Sequence, residues 1–387
     1  MKVLYFHQHF KTPSDGGSIR SYLLALEMIK KGYEVTMITA HNGPKTHRNI
    51  NGIRTVYLHV PYDNTYKFWA RVKAFLHYAW LACIESSKVQ DIGFCYIMTT
   101  PLTTGLIGLY NKLFHKRPYF FEVGDLWPLV PVEMGFINAR FLKKITFGME
   151  KLFYRHALGN IGMSPPITDY IQEACPSTPV ATVYNISDCD FFRPAPQPSG
   201  DEFVICYTGT FGLANDLSRI IQIAHQIQDL PVRFILIGAG ADKPKIEREV
   251  ADLQLTNVEV RDFEDKIGMA KVLNQSHAMF ISFANYPSLF TGSPNKLFDA
   301  LAAGKLIITN FEGWIGELIT SSECGFYFAH DSSEDFAQKI RPFLNDTSLL
   351  QRYQGHSRHL AETRFDLKLQ SHTLLQFISV RVGAPHS

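Results

Sequence analysis

The residues best suited to chemistry lie in one segment, residues 293 to 305, which begins as a turn and continues as a helix. Pro294 lacks a backbone donor and fits a helix start, whereas Gly304 fits the left-handed position at its end. Lys296 would lie in the first turn, where a cation opposes the helix dipole. A bound anion would make that placement favourable, because helix N-termini bind phosphate groups. The segment therefore predicts an anion site, and an ordinary well-capped surface helix is the alternative.

Two further polar residues of this helix extend the predicted site. Asn295 shares the first turn with Lys296, and Asp299 follows one turn later, on or near the same face. A bound diphosphate would repel the carboxylate of Asp299. We therefore expect Asp299 to contact hydroxyl groups, such as those of a ribose.

The elements around this segment follow the order of a doubly wound α/β protein. Residues 3–6 predict a strand, residues 18–31 a helix after a glycine-containing loop, and residues 35–39 the next strand. A second series of alternating strands and helices begins at Phe203. Each series has a glycine-containing loop after its first strand, which predicts two Rossmann-like domains facing across a cleft.

The clearest linker is the stretch rich in proline that follows residue 190. We therefore predict a first domain over residues 1–190, a linker over 191–200, a second domain over 201–364 and a C-terminal helix within 365–387.

Composition limits the classes of function. The chain has 387 residues, enough for two domains, and its formal net charge of +2 gives no overall attraction to nucleic acid. Its six cysteines are scattered without a Cys-x-x-Cys pair, which favours a reducing compartment and argues against a zinc cluster. The first apolar run is too short for a signal peptide, and no stretch has the length of a membrane span. A cytoplasmic protein is expected.

More candidate residues lie in or beside the predicted strand ends, where ligands bind in such sheets. In the first half they are Gly16, Gly17, Arg20, Glu122, Asp125 and Trp127. In the second half they are Gly209, Phe211, Gly212, Arg261 and Ser293. For the glycines of the first loop, a role confined to the turn is an equally good interpretation.

Two predicted helices of the first half, residues 66–88 and 139–156, combine basic and aromatic side chains. The first carries Lys67 and Arg71 beside Trp69 and other aromatic residues. Basic residues mixed with tryptophan suit a membrane interface. The alternative is a pair of helices packed on the sheet with solvated basic edges.

Together these motifs resemble the family-4 type of GT-B glycosyltransferases, and within it the bacterial subgroup that adds N-acetylated amino sugars during surface polysaccharide synthesis. The resemblance covers nearly the whole chain. It rests on residues 8–10, 16–20, 125–128, 188–194, 207–212 and 293–299. It implies the GT-B fold, with the acceptor on the first domain, a nucleotide sugar on the second and the last helix crossing back. It also implies retention of anomeric configuration and no bound metal.

The sequence departs from this family at three places. Members usually carry two glutamates separated by seven residues near the donor, and here those positions are Thr291 and Asp299. Gly124 replaces the histidine that many members have before the Asp-Leu-Trp-Pro stretch. The usual basic pair in the loop after the first strand of the second domain is replaced by Phe211 and Asn215. The resemblance therefore does not fix the catalytic contacts.

The function implied by the resemblance is retaining transfer of a sugar, expected to be an N-acetylated hexose, from a UDP-sugar. The acceptor would be lipid-linked or a saccharide, in capsule, O-antigen (lipopolysaccharide) or exopolysaccharide synthesis at the cytoplasmic membrane face. Lys296 would stabilise the leaving diphosphate, and Asp125 and Glu122 would face the sugar or acceptor. Two alternatives stay open, a GT-B-fold sugar-nucleotide epimerase and a non-catalytic nucleotide-sugar-binding subunit. Gly124 and Thr291 favour the latter slightly.

Overall fold

The computed structural model describes residues 1–15, 17–63, 66–196, 198 and 200–383, and within them two sheets. The first sheet contains β1 (Lys2–Phe6), β2 (Glu34–His41), β3 (Thr46–Ile50), β4 (Ile53–His59), β5 (Ile92–Met98), β6 (Tyr119–Val123), β7 (Gly159–Gly162) and β8 (Val180–Thr182). The second contains β9 (Phe203–Thr210), β10 (Val232–Ala239), β11 (Val258–Arg261), β12 (Ala278–Ile281), β13 (Leu306–Thr309) and β14 (Gly325–Tyr327).

Helices alternate with these strands in both halves of the chain. In the first half they are α1 (Arg20–Lys30), α2 (Phe68–Ser86), α3 (Gly105–His115), α4 (Leu129–Glu133), α5 (Arg140–His156) and α6 (Pro165–Ala174). In the second half they are α7 (Ser218–Gln226), α8 (Lys243–Asp252), α9 (Lys266–Asn274), α10 (Asn295–Ala302), α11 (Gly313–Ser321), α12 (Ser333–Asn345), α13 (Thr347–Leu360) and α14 (Leu367–Val382). A π-helical turn, Ala361–Phe365, joins the last two.

The strand order reverses next to β1 in the first sheet and next to β9 in the second. It is β3-β4-β2-β1-β5-β6-β7-β8 in the first sheet and β11-β10-β9-β12-β13-β14 in the second. All pairings are parallel except that of β3 with β4. Such a reversal leaves a crevice at the carboxyl ends of the central strands. The predicted arrangement of two Rossmann-like domains facing across a cleft is confirmed.

Both faces of each sheet are covered, which explains why the strands read as continuous apolar runs. Along β1, Leu4 and Phe6 belong to one buried cluster, whereas Val3 and Tyr5 belong to the cluster on the opposite face. This alternation follows the two-residue period of a strand. Because parallel sheets are buried on both sides, a strand of this kind shows no polar face.

The antiparallel strand β3 was not expected from the sequence. Its residues, Thr46–Ile50, are polar apart from the last, and they lie at the edge of the first sheet with three of five exposed. An exposed edge strand needs no apolar face, so periodicity gives no signal for it.

The two domains are joined at both ends of the second domain. Helix α14 returns to the first domain, where Leu374 and Ile378 are fully buried in the cluster that contains Val3 and Tyr5. The chain enters the second domain after β8 and leaves it before α14. These two connecting segments are bonded to each other, because the backbone N–H of Ser187 donates to the carbonyl of Phe365. The last helix therefore contributes to the hydrophobic core of the first domain.

A buried ion pair fixes the start of α1 against β6 and the segment after β8. Arg20 Nε donates to Glu122 Oε1 at 2.8 Å, and both side chains are completely shielded from solvent. The guanidinium also donates to the carbonyls of Val183 (3.1 Å) and Tyr184 (2.5 Å). Tyr96 donates its hydroxyl proton to the other carboxylate oxygen of Glu122.

These contacts correct two assignments made from the sequence. Neither the Glu122 nor the Arg20 side chain lines the main cleft, because each is enclosed by protein and bonded to the other; Arg20 borders only the small cavity that Gly17, Asn295 and Asp299 also line. Arg20 instead holds the backbone that leads toward the second domain. A buried charge pair of this kind positions elements and is costly to break.

We predict that Glu122→Ala lowers the free energy of unfolding by about 3–5 kcal/mol, because it leaves the Arg20 guanidinium buried without its carboxylate. Urea denaturation would measure the loss. The matched control is Glu34→Ala, which removes a carboxylate from the exposed Glu34–Arg54 pair and should cost less than about 1 kcal/mol. Equal, small losses in both variants would contradict a structural role for the buried pair.

Candidate active site

A cleft of about 860 Å³ lies between the domains at the carboxyl ends of the central strands. Residues 7–11, after β1, line it from the first domain, and Gly209 and Phe263 line it from the second. Gly17 lies on its wall, whereas the predicted cleft residue Gly16 falls outside the residues that the structure describes. The location is the one expected for a ligand in two facing α/β sheets.

Helix α10 places Lys296 next to Gly209. Gly209 belongs to a segment that comprises the end of β9 and the turn after it (residues 208–212), which we call the glycine loop. Pro294 has an extended backbone and precedes the first helical residue, and Gly304 after the helix has a φ of +61°. Lys296 Nζ lies 3.8 Å from the centroid of the Tyr207 ring. A methyl group on Gly209 would come within 3.1 Å of that nitrogen, so glycine leaves room for the ammonium group.

The ammonium group of Lys296 has no carboxylate partner among the described residues. Burial lowers the pKa of Lys296 from its usual range to about 7. A cation held over a tyrosine ring at a helix N-terminus, with no counter-charge, is a favourable position for an anion. The binding of an anion at this helix start stays a prediction.

Asn295 and Ser293 connect the same helix start to the first domain. Asn295 Oδ1 accepts hydrogen bonds from Asn185 Nδ2 at 2.6 Å and from Ser18 Oγ at 3.2 Å. Asn185 also donates to the carbonyl of Ser293 at 3.1 Å. The Ser293 hydroxyl is buried and has no hydrogen-bond partner in the described part of the chain. Asn295 therefore bonds the start of α10 to the first domain.

Asp299 faces a different part of the domain boundary from Lys296. With Gly17 and Asn295 it lines a small cavity of about 40 Å³. Burial raises the pKa of Asp299 to about 7, and Asp188 adds to the rise while Lys266 opposes it. A carboxyl group near half-protonation can both accept from and donate to hydroxyl groups. Asp188 itself forms an ion pair with Lys266.

Asp125, in the first domain, lies beside the loop that precedes α10. Thr100 Oγ1 donates to its carboxylate at 3.2 Å. A methyl group on Gly292 would lie 3.8 Å from Asp125 Oδ1, so the carboxylate faces that loop directly. The surrounding protein raises the pKa of Asp125 above its ordinary value, although water still reaches the group. The fold thus brings Asp125 and the start of α10 to one site from opposite domains.

The glycine loop of the second domain is held by close backbone contact. Phe211 donates its N–H to the carbonyl of Ala239 at 2.9 Å, and a methyl group on Gly240 would lie 2.1 Å from the Phe211 carbonyl oxygen. The Phe211 ring is fully buried, 6.1 Å from the ring of Tyr207. Phe211 therefore anchors the loop, and its neighbour Gly212 lines a second cavity together with Trp127.

Arg261, the last residue of β11, was predicted to bind the donor, but its side chain is bonded to another residue of the same strand. Its guanidinium bonds both carboxylate oxygens of Glu259, at 2.6 and 3.0 Å. Glu259 is also bonded by Arg233. Arg261 is therefore part of a charge network with Glu259 and Arg233. Phe263, two residues later, lines the cleft.

Other polar residues of the site were missed by sequence reasoning. Gln8 and His9 follow β1 and line the cleft, and both amide atoms of Gln8 are buried without a partner in the described residues. Burial lowers the pKa of His9 to about 4, so its imidazole is neutral. Ser164 and Trp314 hold the loop before α10 through the carbonyls of residues 291 and 292. Position after a strand was the available signal for Gln8 and His9.

The chain is similar to known glycosyltransferases in part of its sequence and in its whole fold. Residues 202–346 match the family model for "Glycosyl transferases group 1". WcaI of Escherichia coli (strain K12), whose name describes a glycosyl transferase of colanic acid biosynthesis, is 23% identical over 196 residues. That alignment covers 50% of this chain and 46% of WcaI, so the chain matches less than half of that relative.

Two solved structures share the fold along almost the full chain. Sucrose-phosphate synthase from Thermosynechococcus elongatus has a TM-score of 0.79 and 16% identity, and 98% of each chain is covered. Anabaena Alr3699/HepE, solved in complex with UDP, has a TM-score of 0.71 and 14% identity, with 98% of this chain and 100% of that chain covered. These similarities show the GT-B fold for the present chain.

Proposed function

We propose that this chain, a GT-B protein whose second domain belongs to the group 1 glycosyl transferases, transfers a sugar from a nucleotide donor in polysaccharide biosynthesis. One observation carries the proposal. Lys296, a cation without a carboxylate partner in the described residues and with a pKa lowered to about 7, lies at a helix start next to Gly209, and Asp125 of the first domain faces the loop that precedes this helix. That arrangement suits a leaving diphosphate on one side and a reacting sugar between the domains.

In the proposed reaction the bond between the anomeric carbon and the diphosphate oxygen breaks, and the acceptor oxygen bonds that carbon with retention of configuration. The acceptor hydroxyl gives its proton to the departing diphosphate oxygen. Negative charge grows on the diphosphate as it leaves. Lys296 would stabilise this charge, and the buried Ser293 hydroxyl, three residues before it and unpartnered in the described residues, would donate a hydrogen bond to the diphosphate. Asp125 would orient the sugar or the acceptor hydroxyl, and Asp299 would bond the ribose. Catalysis would rest on positioning two substrates across the cleft.

The finer assignments are part of the same proposal. A uridine diphosphate donor is supported by the complex of the structurally similar HepE with UDP. An N-acetylated hexose and a lipid-linked or saccharide acceptor follow from the resemblance to the amino-sugar subgroup. The name of WcaI, which refers to colanic acid, supports polysaccharide synthesis as the setting.

We predict that purified protein, incubated with a membrane extract and a UDP-N-acetylhexose, forms glycosylated product and UDP. Lys296→Ala should lower kcat/KM by roughly ten- to a hundredfold, because it removes a charge-assisted contact to the diphosphate. Lys271→Ala, at an exposed position of the second domain, is the matched control. Conversion of the sugar without transfer would favour the epimerase, and UDP binding without turnover would favour the non-catalytic subunit.

We further predict that the reaction does not need a metal ion. The described residues contain no group of three or more His, Cys, Asp or Glu side chains that could hold one. Lys296 would supply the positive charge that a cation provides at other diphosphate sites. Turnover measured with excess EDTA should equal turnover in untreated buffer. Loss of activity that manganese or magnesium restores would overturn this part of the proposal.

The acceptor side of the protein has a surface suited to a membrane. Helix α3 packs between α2 and α5, and each of the three exposes an aromatic side chain. Trp69 and Trp80 of α2 are 67% and 61% exposed, and Phe114 and Phe141 are 72% and 66% exposed. Phe75, in contrast, is buried against Tyr62.

No helix of the described residues has the length and apolarity to span a bilayer. We propose that this face binds anionic membrane peripherally.

The membrane proposal predicts salt-sensitive sedimentation with anionic liposomes. Lys73→Glu combined with Lys144→Glu should weaken binding at least about tenfold, since each basic residue near the surface contributes roughly 1 kcal/mol. Lys245→Glu with Lys271→Glu, a double reversal on the second domain, should leave binding unchanged. If the wild-type protein fails to sediment with liposomes even at low salt, a soluble acceptor becomes the better assignment.

A further inference from the structure

The loop between β12 and α10, residues 282–294, borders the proposed reaction site, and we call it the β12–α10 loop. A methyl group on Gly292 would lie 3.8 Å from Asp125 Oδ1 and also 3.8 Å from Cζ of Phe283. Phe283, near the start of the loop, therefore lies beside the glycine that Asp125 faces. The loop continues into the first turn of α10, which carries Lys296. A displacement of Phe283 would thus disturb the surroundings of Asp125.

The backbone of Phe283 is held by two side chains. Its N–H donates to Asn310 Oδ1 at 3.0 Å, and its carbonyl accepts from Asn310 Nδ2 at 2.9 Å. His330 Nε2, from the turn that follows β14, lies 3.2 Å from the same carbonyl oxygen. The next residue, Ala284, donates its N–H to the carbonyl of Ala214 at 2.9 Å, just past the glycine loop. The position of the β12–α10 loop therefore depends on His330 as well as on the strands beside it.

Both ring nitrogens of His330 face oxygen atoms that can only accept a hydrogen bond. Nδ1 lies 3.0 Å from Asp331 Oδ1. Nε2 lies 3.2 Å from the Phe283 carbonyl oxygen and 3.9 Å from Asp216 Oδ2. A neutral imidazole has one N–H donor, whereas the imidazolium has two. Both hydrogen bonds therefore form only when His330 is protonated.

Two separate elements bring a carboxylate to this ring. Asp331 belongs to the same turn as His330, and Asp216 belongs to the segment between the glycine loop and α7. Their negative charges stabilise the imidazolium, and Arg219 of α7 opposes it. The hydrogen bond from His330 lowers the pKa of Asp331 below its ordinary value, and the attraction of Arg219 lowers it further.

Helix α12, which follows the turn, adds a pair of charges that cancel. Asp335 accepts from the backbone N–H of Ala329 at 2.8 Å and forms an ion pair with Lys339 at 3.0 Å. The carboxylates of Asp216 and Asp331 therefore dominate the field at His330.

Loss of one proton leaves His330 with a single donor. A carboxylate is a stronger acceptor than a neutral carbonyl, so the remaining proton stays on Nδ1, against Asp331. The lone pair of Nε2 then faces the carbonyl oxygen of Phe283 and the carboxylate of Asp216, and both contacts become repulsive. The β12–α10 loop thereby loses the contact that ties it to the turn after β14.

We propose that His330 is a positioning residue of the transferase, which in its protonated form holds Phe283 and with it the loop beside Asp125. Because the loop contact requires the proton, turnover falls as the pH rises through the titration of His330. His330 acts through the backbone of Phe283 and exchanges no proton with the substrates. The inference rests on the proposed transferase function and adds to it a residue that controls the site from outside the cleft.

The test compares His330→Gln with His330→Asn in the transfer assay with membrane extract and a UDP-N-acetylhexose, between about pH 6 and about pH 9. The amide of glutamine extends as far as Nε2 and can donate to the Phe283 carbonyl at every pH, whereas that of asparagine extends only as far as Nδ1. His330→Asn should lower kcat/KM about tenfold at the acid end, and less as the pH rises, because the wild type then loses the same contact. His330→Gln should stay within about threefold of the wild type at the acid end. Ratios taken to the wild type at the same pH cancel the titration of Lys296.

His356→Asn is the matched control. His356 Nδ1 lies 3.2 Å from the carbonyl oxygen of Glu323 and 3.6 Å from its carboxylate, but Glu323 precedes β14, at the other end of the strand from His330. Its kcat/KM should equal that of the wild type at each pH. In parallel, NMR of protein with nitrogen-labelled histidine should show both ring nitrogens of His330 protonated at about pH 6. One proton should be lost over the same pH range in which the activity ratio of His330→Asn changes.

A neutral His330 ring at about pH 6 would overturn the inference, as would an activity ratio of His330→Asn to wild type that does not change with pH. Equal activities of His330→Asn and His330→Gln at the acid end would show that the contact with Phe283 does not matter, and would overturn it too. In each of these cases, turnover by the wild-type protein would leave the proposed transferase standing. Absence of turnover by the wild type would instead contradict the transferase itself, and the positioning role with it.

Discussion

The ammonium group of Lys296 lies over the ring of Tyr207, below Gly209, and no carboxylate of the described residues neutralises it. Holding a cation there costs free energy, which is visible in the lowered pKa of the group. The cost is offset when an anion enters the same space. This balance is the physical basis on which we propose a negatively charged ligand for the site.

Several hydrogen bonds between the domains hold this arrangement in place. Ser187 donates its hydroxyl proton to the carbonyl of Phe298, and the backbone N–H of Ser288 donates to Glu133 Oε2 at 3.0 Å. Asn185 and Ser18 bond the side chain of Asn295 at the helix start. Each bond runs between the second domain and either the first domain or the segment that leads to it. The loop and helix that carry Lys296 are thus fixed relative to Asp125, which a reaction between two bound substrates requires.

The sequence predicted the fold well because its signals are local and repeated. Apolar runs of strand length alternate with amphipathic helices, and Gly304 ends α10 as expected, with a positive φ. The site was predicted less completely, for a physical reason. Glu122 follows the pattern of a residue near a strand end, yet its side chain bonds Arg20 in the core. Which way a side chain points at such a position depends on distant partners that spacing along the chain does not reveal.

Asn295 and Lys296 illustrate the same limit. They are adjacent in the first turn of α10, and the sequence assigned both to one ligand. In the structure, the Asn295 side chain bonds Asn185 of the first domain, whereas the Lys296 side chain lies over the Tyr207 ring in the second domain. Gln8 belongs to the motif at residues 8–10 but was not selected as a site residue, because the unpartnered, buried state of its amide is visible only in the folded cleft. A role that depends on contacts between two domains cannot be predicted from local sequence patterns and is seen only in the structure.

The most direct test of this account is the titration of Lys296 by NMR of isotope-labelled lysine side chains, with Lys296→Met used to assign the signal. Without ligand the pKa should be about 7, and saturation with UDP should raise it substantially, because the diphosphate stabilises the charged form. By linkage, UDP affinity should then fall as the pH rises through this range. A free-protein pKa near the ordinary lysine value, or a pKa that UDP leaves unchanged, would contradict the account.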